Sequence, residues 1–210
     1  MLLCLAILFS ACGQSTAPTT GAGASDSPSG QIKIGILQFA PHASLDNCYA
    51  GIIEGLAAQG FEDGKPIAAL NNAICEIEFV NGQGEAETNS MAASNFVSGG
   101  ANIIIAIATP AAVPSYAAAK DVGIPVIFSA VSDPVGAGIV KSLEAPGTGA
   151  TGTSDGLNYA GQLAMIRAFQ PDAKKIGILY TTSEANSLAQ LAKYEEIAGE
   201  YGFEIVSIGV

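Results

Sequence analysis

From Ile32 onward, short apolar runs alternate with longer stretches of helical periodicity, the pattern of βαβ units around a parallel sheet. The runs predict strands over Ile32–Leu37, Glu76–Val80, Ile103–Ala108, Pro125–Ser129, a short one over Thr148–Thr153, then Lys175–Tyr180 and Glu204–Ile208. Helices are expected between them, at about 46–59, 85–98, 111–119, 156–169 and 184–201. Gly60 and Gly202 stand where a glycine ends a helix in the left-handed conformation.

The pattern repeats. Lys33-Ile34-Gly35-Ile36-Leu37 returns as Lys175-Ile176-Gly177-Ile178-Leu179, and Gly60-Phe61-Glu62 returns as Gly202-Phe203-Glu204, at the same offset. Two matches in register across a strand and a helix indicate two copies of one α/β lobe. The first lobe is expected over 32–155 and the second over 156–210, with only two strands of the second before Val210. Such a piece leaves a sheet edge and an apolar face uncovered, so the expectation is a truncated second lobe.

Ahead of the repeats the pattern differs. Met1-Leu2-Leu3-Cys4-Leu5-Ala6-Ile7-Leu8-Phe9-Ser10-Ala11 is apolar but about half the ~20 residues needed to span a bilayer, as in a signal peptide. Its end, Leu8-Phe9-Ser10-Ala11-Cys12, resembles a bacterial lipobox and implies lipidation of Cys12, although Phe9 replaces the usual leucine and no Lys or Arg precedes the run. Residues 13–31 are rich in Gly, Ser, Thr and Pro, the composition of a flexible tether. The expected location is extracytoplasmic, anchored to the bacterial membrane through lipid.

Composition narrows the functions. The 210 residues are 49% hydrophobic and 13% charged, enough apolar material for a core. A net charge of -11 and the lack of a basic cluster argue against nucleic acid as a partner. The one histidine, His42, and cysteines without a CxxC pair give no basis for a metal site. The string Gly147-Thr148-Gly149-Ala150-Thr151-Gly152 fits GxGxxG but has no strand before it and no helix opening within it, so no cofactor is expected.

Several stretches carry a family resemblance. Pro41-His42-Ala43-Ser44-Leu45-Asp46, Ile107-Ala108-Thr109-Pro110-Ala111-Ala112, Ala130-Val131-Ser132-Asp133-Pro134-Val135, Thr151-Gly152-Thr153-Ser154-Asp155 and Ser183-Glu184-Ala185-Asn186-Ser187 together resemble ABC transporter substrate-binding proteins of the tryptophan/tyrosine uptake type. The resemblance covers about 32–210. It implies a type I periplasmic binding protein fold, two Rossmann-like lobes closing by a hinge on a small amino acid-like ligand, possession of ABC permease partners, and no catalysis.

In an open parallel sheet, ligands sit beyond the carboxyl ends of the strands. The family motifs fall there: Gln38 and Phe39 after the first strand, Thr109 and Pro110 after the third, Ser132 and Asp133 after the fourth, Ser154 and Asp155 after the fifth. Thr109-Pro110 reads equally as a helix start, with threonine as N-cap and proline at N1, and as a seat for a ligand carboxylate. Asp133 reads as an ammonium partner or as a turn residue before Pro134; it ranks ahead of Asp155, since one residue of Thr153-Ser154-Asp155 is expected to cap the helix starting near Gly156. Phe39 and Tyr180 end equivalent strands and are candidates to stack on an aromatic ligand, and Asn186 joins the candidates through its motif. His42 is a candidate contact or shapes the loop before Asp46 caps the first helix.

Two other functions fit a two-lobed α/β chain. A ligand sensor feeding a signalling protein shares the fold. An amino acid racemase needs one cysteine in each lobe, whereas Cys48 and Cys75 both lie in the first. Their expected separation of about one helix length exceeds the ~6 Å reach of a disulfide, so both are expected as free, buried thiols.

Overall fold

The computed structural model describes residues 30–210; the expected leader, Cys12 and most of the tether lie outside them. A six-stranded sheet has the order β2-β3-β1-β4-β5-β6. It comprises β1 (Gln31–Gln38), β2 (Pro66–Ile67), β3 (Ala73–Asn81), β4 (Ile103–Ile107), β5 (Val126–Val131) and β6 (Ala150–Ser154). All neighbours pair in parallel except β2 with β3. A separate parallel pair holds β7 (Lys175–Tyr180) and β8 (Glu204–Gly209). Gln31, placed in the tether by composition, is the first residue of β1.

Alternation along the central strands divides the core into two faces. Ile34, Ile36, Ile105 and Ile107 meet α1 (Ala43–Ala58) through Leu45, Tyr49, Ile52 and Leu56. Leu37, Ile104, Ala106 and Phe128 meet α2 (Ala86–Ser98) and α3 (Thr109–Ala119) on the other side. There the Phe96 ring, 2% exposed, lies over Gly35: a Cβ added at Gly35 falls 2.6 Å from Phe96 Cγ. The glycine in this strand therefore admits an aromatic ring from the helix above it. Cys75 is buried in the α1-side core and Cys48 half-buried against it, both as free thiols; burial foremost, then the Asp63 charge, pushes the Cys75 thiol up.

The sequence repeat has a structural counterpart. β1 and β7 each lead into a helix, α1 and α5 (Ala185–Ile197), and Gly60 (φ 83°) and Gly202 (φ 72°) take the left-handed conformation. The next residue then returns a hydrogen bond to the helix, Phe61 N–H to Leu56 and Phe203 N–H to Ala198. Across the paired strands, Lys33 meets Glu76 at 3.9 Å and Lys175 meets Glu204 at 3.0 Å. The copies part after the helix: β2 and a 3₁₀ turn (Ala68–Leu70) intervene before β3, whereas β8 starts directly at Glu204.

α4 (Tyr159–Phe169) and α5 pack Leu163, Ala198 and Phe203 against the two-stranded sheet. The opposite face is bare, with Leu179 73% and Ile208 59% exposed. The terminal 3₁₀ turn (Ala198–Tyr201) replaces the last turn of the longer helix expected to 201. Arg167 binds this unit together: its guanidinium donates to the carbonyls of Tyr201, Gly202, Pro171 and Ala173 and stacks over Phe203 at 3.8 Å. Arg167→Ala is expected to lower stability by about 3 kcal/mol, with Arg167→Lys recovering less than half, in urea denaturation; charge-assisted bonds and a planar donor fork set that scale.

Candidate functional site

The ends of β1 and β4 are built for close approach. Gln38, 1% exposed, donates to Ala40 O at 2.9 Å and Asp46 Oδ1 at 2.7 Å, tying strand to helix. Phe39 is then held on both sides, its N–H donating to Ile107 O and its carbonyl accepting from Gly84 N–H at 2.9 Å. From that fixed backbone the half-buried ring packs against the edge of the core.

At the end of β4, Ala108 has φ 78° and ψ 155°, a conformation almost confined to glycine. It is the N-cap of α3, and the helix starts at Thr109, so the expectation of a Thr109 N-cap with Pro110 at N1 is shifted by one residue. A chain turning sharply out of the strand at Ala108 delivers Thr109 and Pro110 straight into α3. Pro114 lies inside that helix and offers no N–H to the Pro110 carbonyl one turn earlier.

These elements border an open cavity of about 650 Å³. Phe39, Gly84, residues Ala86, Ser90 and Ser94 of α2, and Thr109, Pro110, Val113, Pro114, Ala117 and Ala118 of α3 form one side; Thr181, Ser183 and Glu184, between β7 and α5, with Ala185 at the start of α5, form the other. The lining is mainly apolar with a few hydroxyls and one carboxylate, the composition of a small-molecule site. Phe39, Thr109 and Pro110 lie beyond strand carboxyl ends of the six-stranded sheet and residues 181–185 beyond that of β7, while Ser90, Ser94, Val113, Pro114, Ala117 and Ala118 continue the first wall along α2 and α3. Of the residues expected from sequence, Phe39, Thr109 and Pro110 line it, and Gln38 braces Phe39 from behind.

The loops after β5 and β6 gather elsewhere. A register shift between Phe128 and Val131, with Ala130 at φ 54°, is a bulge that re-aims the following residues. Ser132 O accepts from Ser154 Oγ, Ser132 Oγ accepts from Gln190 Nε2 of α5, and Asp133 Oδ1 accepts from Gly136 N–H at 2.8 Å. Burial foremost, then the Asp133 and Asp155 charges, pushes the Tyr159 phenol up, so these groups share one neighbourhood. It joins the two sheets, but Ser132, Asp133, Ser154 and Asp155 are not among the residues lining the cavity. None of Thr153, Ser154 and Asp155 caps α4; Asn158 does, accepting from Gly161 N–H at 2.9 Å.

The other candidates have local partners. His42, rather than Asp46, caps α1, its Nδ1 accepting from Ser44 N–H at 3.2 Å. Tyr180 lies across Gly209 of the paired strand, a Cβ added at Gly209 falling 3.2 Å from its phenol oxygen; it is not among the residues lining the cavity with Phe39. Asn186 Nδ2 approaches Glu184 Oε2 at 3.5 Å, and its Oδ1 is buried without a partner. Among the described residues, no group of three or more His, Cys, Asp or Glu side chains is placed to hold a metal.

Ser183 and Glu184 were accessible to the strand-end rule, because they follow β7 as Phe39 follows β1. Ser90 and Ser94 were not: each returns its hydroxyl to the carbonyl one turn earlier and reads in sequence as an ordinary surface position.

A family model described as "ABC transporter substrate binding protein" matches residues 33–210. The chain belongs to this family. A curated relative, the tyrosine-binding protein of Clostridioides difficile (strain R20291), is 42% identical over 180 residues, which is 86% of this chain and 49% of the relative. Among solved structures, the ABC domain from Streptococcus pneumonia in complex with L-Trp is 37% identical with a TM-score of 0.76, covering 86% of this chain and 57% of that one. The ligand-free, open structure of a substrate binding protein with adhesive properties from Clostridium difficile is 41% identical, TM-score 0.62, covering 85% and 57%. The chain thus spans about half the length of the relatives it matches. Its α/β architecture is that of the type I periplasmic binding proteins, and the family members it matches are solute-binding proteins rather than enzymes.

Proposed function

We propose that this protein is the extracytoplasmic solute-binding component of an ABC importer, which takes up an amino acid with an aromatic or other apolar side chain. The observation that carries the reading is the cavity of about 650 Å³ whose walls come from both sheets. A ligand touching Phe39 and Thr109 on one side and the 181–185 loop on the other is bound best when the walls approach. Its contacts therefore favour a closed state, which the permease subunits recognise. The first lobe is assigned to 32–155 and the second to the residues from 156 onward, and the Ser132–Gln190 bond lies where they meet.

The L-Trp complex and the tyrosine-binding relative support an aromatic amino acid. The lipobox-like Leu8–Cys12 segment supports anchoring through Cys12, and among the described residues no helix is long and apolar enough to cross a membrane. A thermal-shift screen against the standard amino acids tests the ligand class, because a ligand specific to the native state raises the melting midpoint by mass action. The expected result is a rise with an aromatic or apolar amino acid. A cooperative melt that none of them shifts excludes the reading.

A further inference from the structure

Glu184 is the one charged side chain among the residues lining the cavity. It is half-buried and precedes α5 in an extended conformation, φ -105° and ψ 118°, without a side-chain bond to the helix N-terminus. Among the described residues it has no ion pair, and its polar side-chain contact is the 3.5 Å approach of Asn186 Nδ2. Of the other carboxylates near the strand ends, Asp46 accepts from Gln38 and Asp133 from Gly136 N–H, while Glu85 and Asp155 are exposed and do not line the cavity.

We propose that Glu184 is the ammonium-binding group of the cleft and makes it selective for α-amino acids over acids of the same shape that lack the amine. The inference rests on the amino acid reading above. An ammonium group moved from water into an apolar cleft needs a compensating anion, and one carboxylate in an otherwise neutral lining supplies it. Across the cavity the hydroxyl of Thr109, at the N-terminal turn of α3, has no partner among the described residues and is free for the ligand carboxylate. Because Glu184 belongs to the β7–α5 side and Thr109 to the β4–α3 side, a zwitterion bridges the cleft. A des-amino acid engages only one wall.

The test uses the intact protein and four probes: L-tryptophan, L-tyrosine, and their des-amino counterparts indole-3-propionate and 3-(4-hydroxyphenyl)propionate. Calorimetric titration of the wild type is expected to give clear preference for one amino acid over its counterpart. Glu184→Gln is expected to weaken that amino acid about 100-fold, the scale for removing one partner of a desolvated charge pair, and to change the des-amino acid less than about threefold. Glu184→Asp, which keeps the charge on a shorter arm, is expected to retain part of the preference. Unchanged amino acid binding in Glu184→Gln overturns the inference, as does a loss confined to Asp133→Asn. If the folded wild type binds no probe, the aromatic reading beneath the proposal fails instead, an outcome separate from a wild type that binds and a variant that binds equally.

Discussion

Phe96→Ala is expected to lower the stability of the protein by about 3–5 kcal/mol, the range for deleting a buried aromatic ring. Phe96 is 2% exposed and fills the space above Gly35, between α2 and the centre of the six-stranded sheet. Neither neighbour can follow a lost ring: Gly35 has no side chain, and its strand is paired on both sides, with β3 and β4. Phe169, 77% exposed at the end of α4, is the matched control. Its replacement by alanine is expected to change stability by less than about 0.5 kcal/mol. Urea denaturation of both variants checks the pair, and similar losses contradict the packing described here. The deletion also bears on the cavity, because Ser90 and Ser94 of α2 line it, and a loosened α2 opens that wall.

Phe39→Ala is expected to weaken binding of L-tryptophan by about 10- to 100-fold, the effect of removing one apolar aromatic contact from a pocket wall. Its backbone hydrogen bonds to Ile107 and Gly84 remain in the variant, so the loss concerns the ring rather than the loop. The protein contains no tryptophan, so the emission of added L-tryptophan reports directly on its own transfer out of water. The wild type is expected to shift and saturate that emission, and the variant to need correspondingly more protein. Equal titrations place the ligand away from Phe39.

Most of the architecture was legible in the sequence because strand and helix periodicities differ and both copies of the repeat carry them. Element ends were less legible, since they depend on single backbone conformations. α1 begins at Ala43 rather than near 46 because His42 supplies the capping acceptor, and α3 begins at Thr109 because Ala108 adopts a positive φ that its residue type disfavours. β2 and its 3₁₀ turn went unread, because Pro66–Ile67 is too short for any period to register.

The strand-end rule treated the loops beyond the sheet as one wall. The bulge in β5 divides them, sending Ser132 and Asp133 toward Ser154 and α5 while Phe39 and Thr109 face the cavity. Equivalent strand ends also differ in their surroundings: Gly209 beside Tyr180 offers a bare surface for its ring, whereas Phe39 has no such strand neighbour. A sequence does not display which side of a strand end a ring will take.

The most direct test of the proposed cleft is a crystal structure of the protein with the amino acid that raises its melting midpoint most. The ligand is expected between Phe39 and Thr109 on one side and Ser183 and Glu184 on the other, its ammonium toward Glu184. A ligand seated beside Ser132, Asp133 and Asp155, with the cavity beside Phe39 vacant, contradicts it.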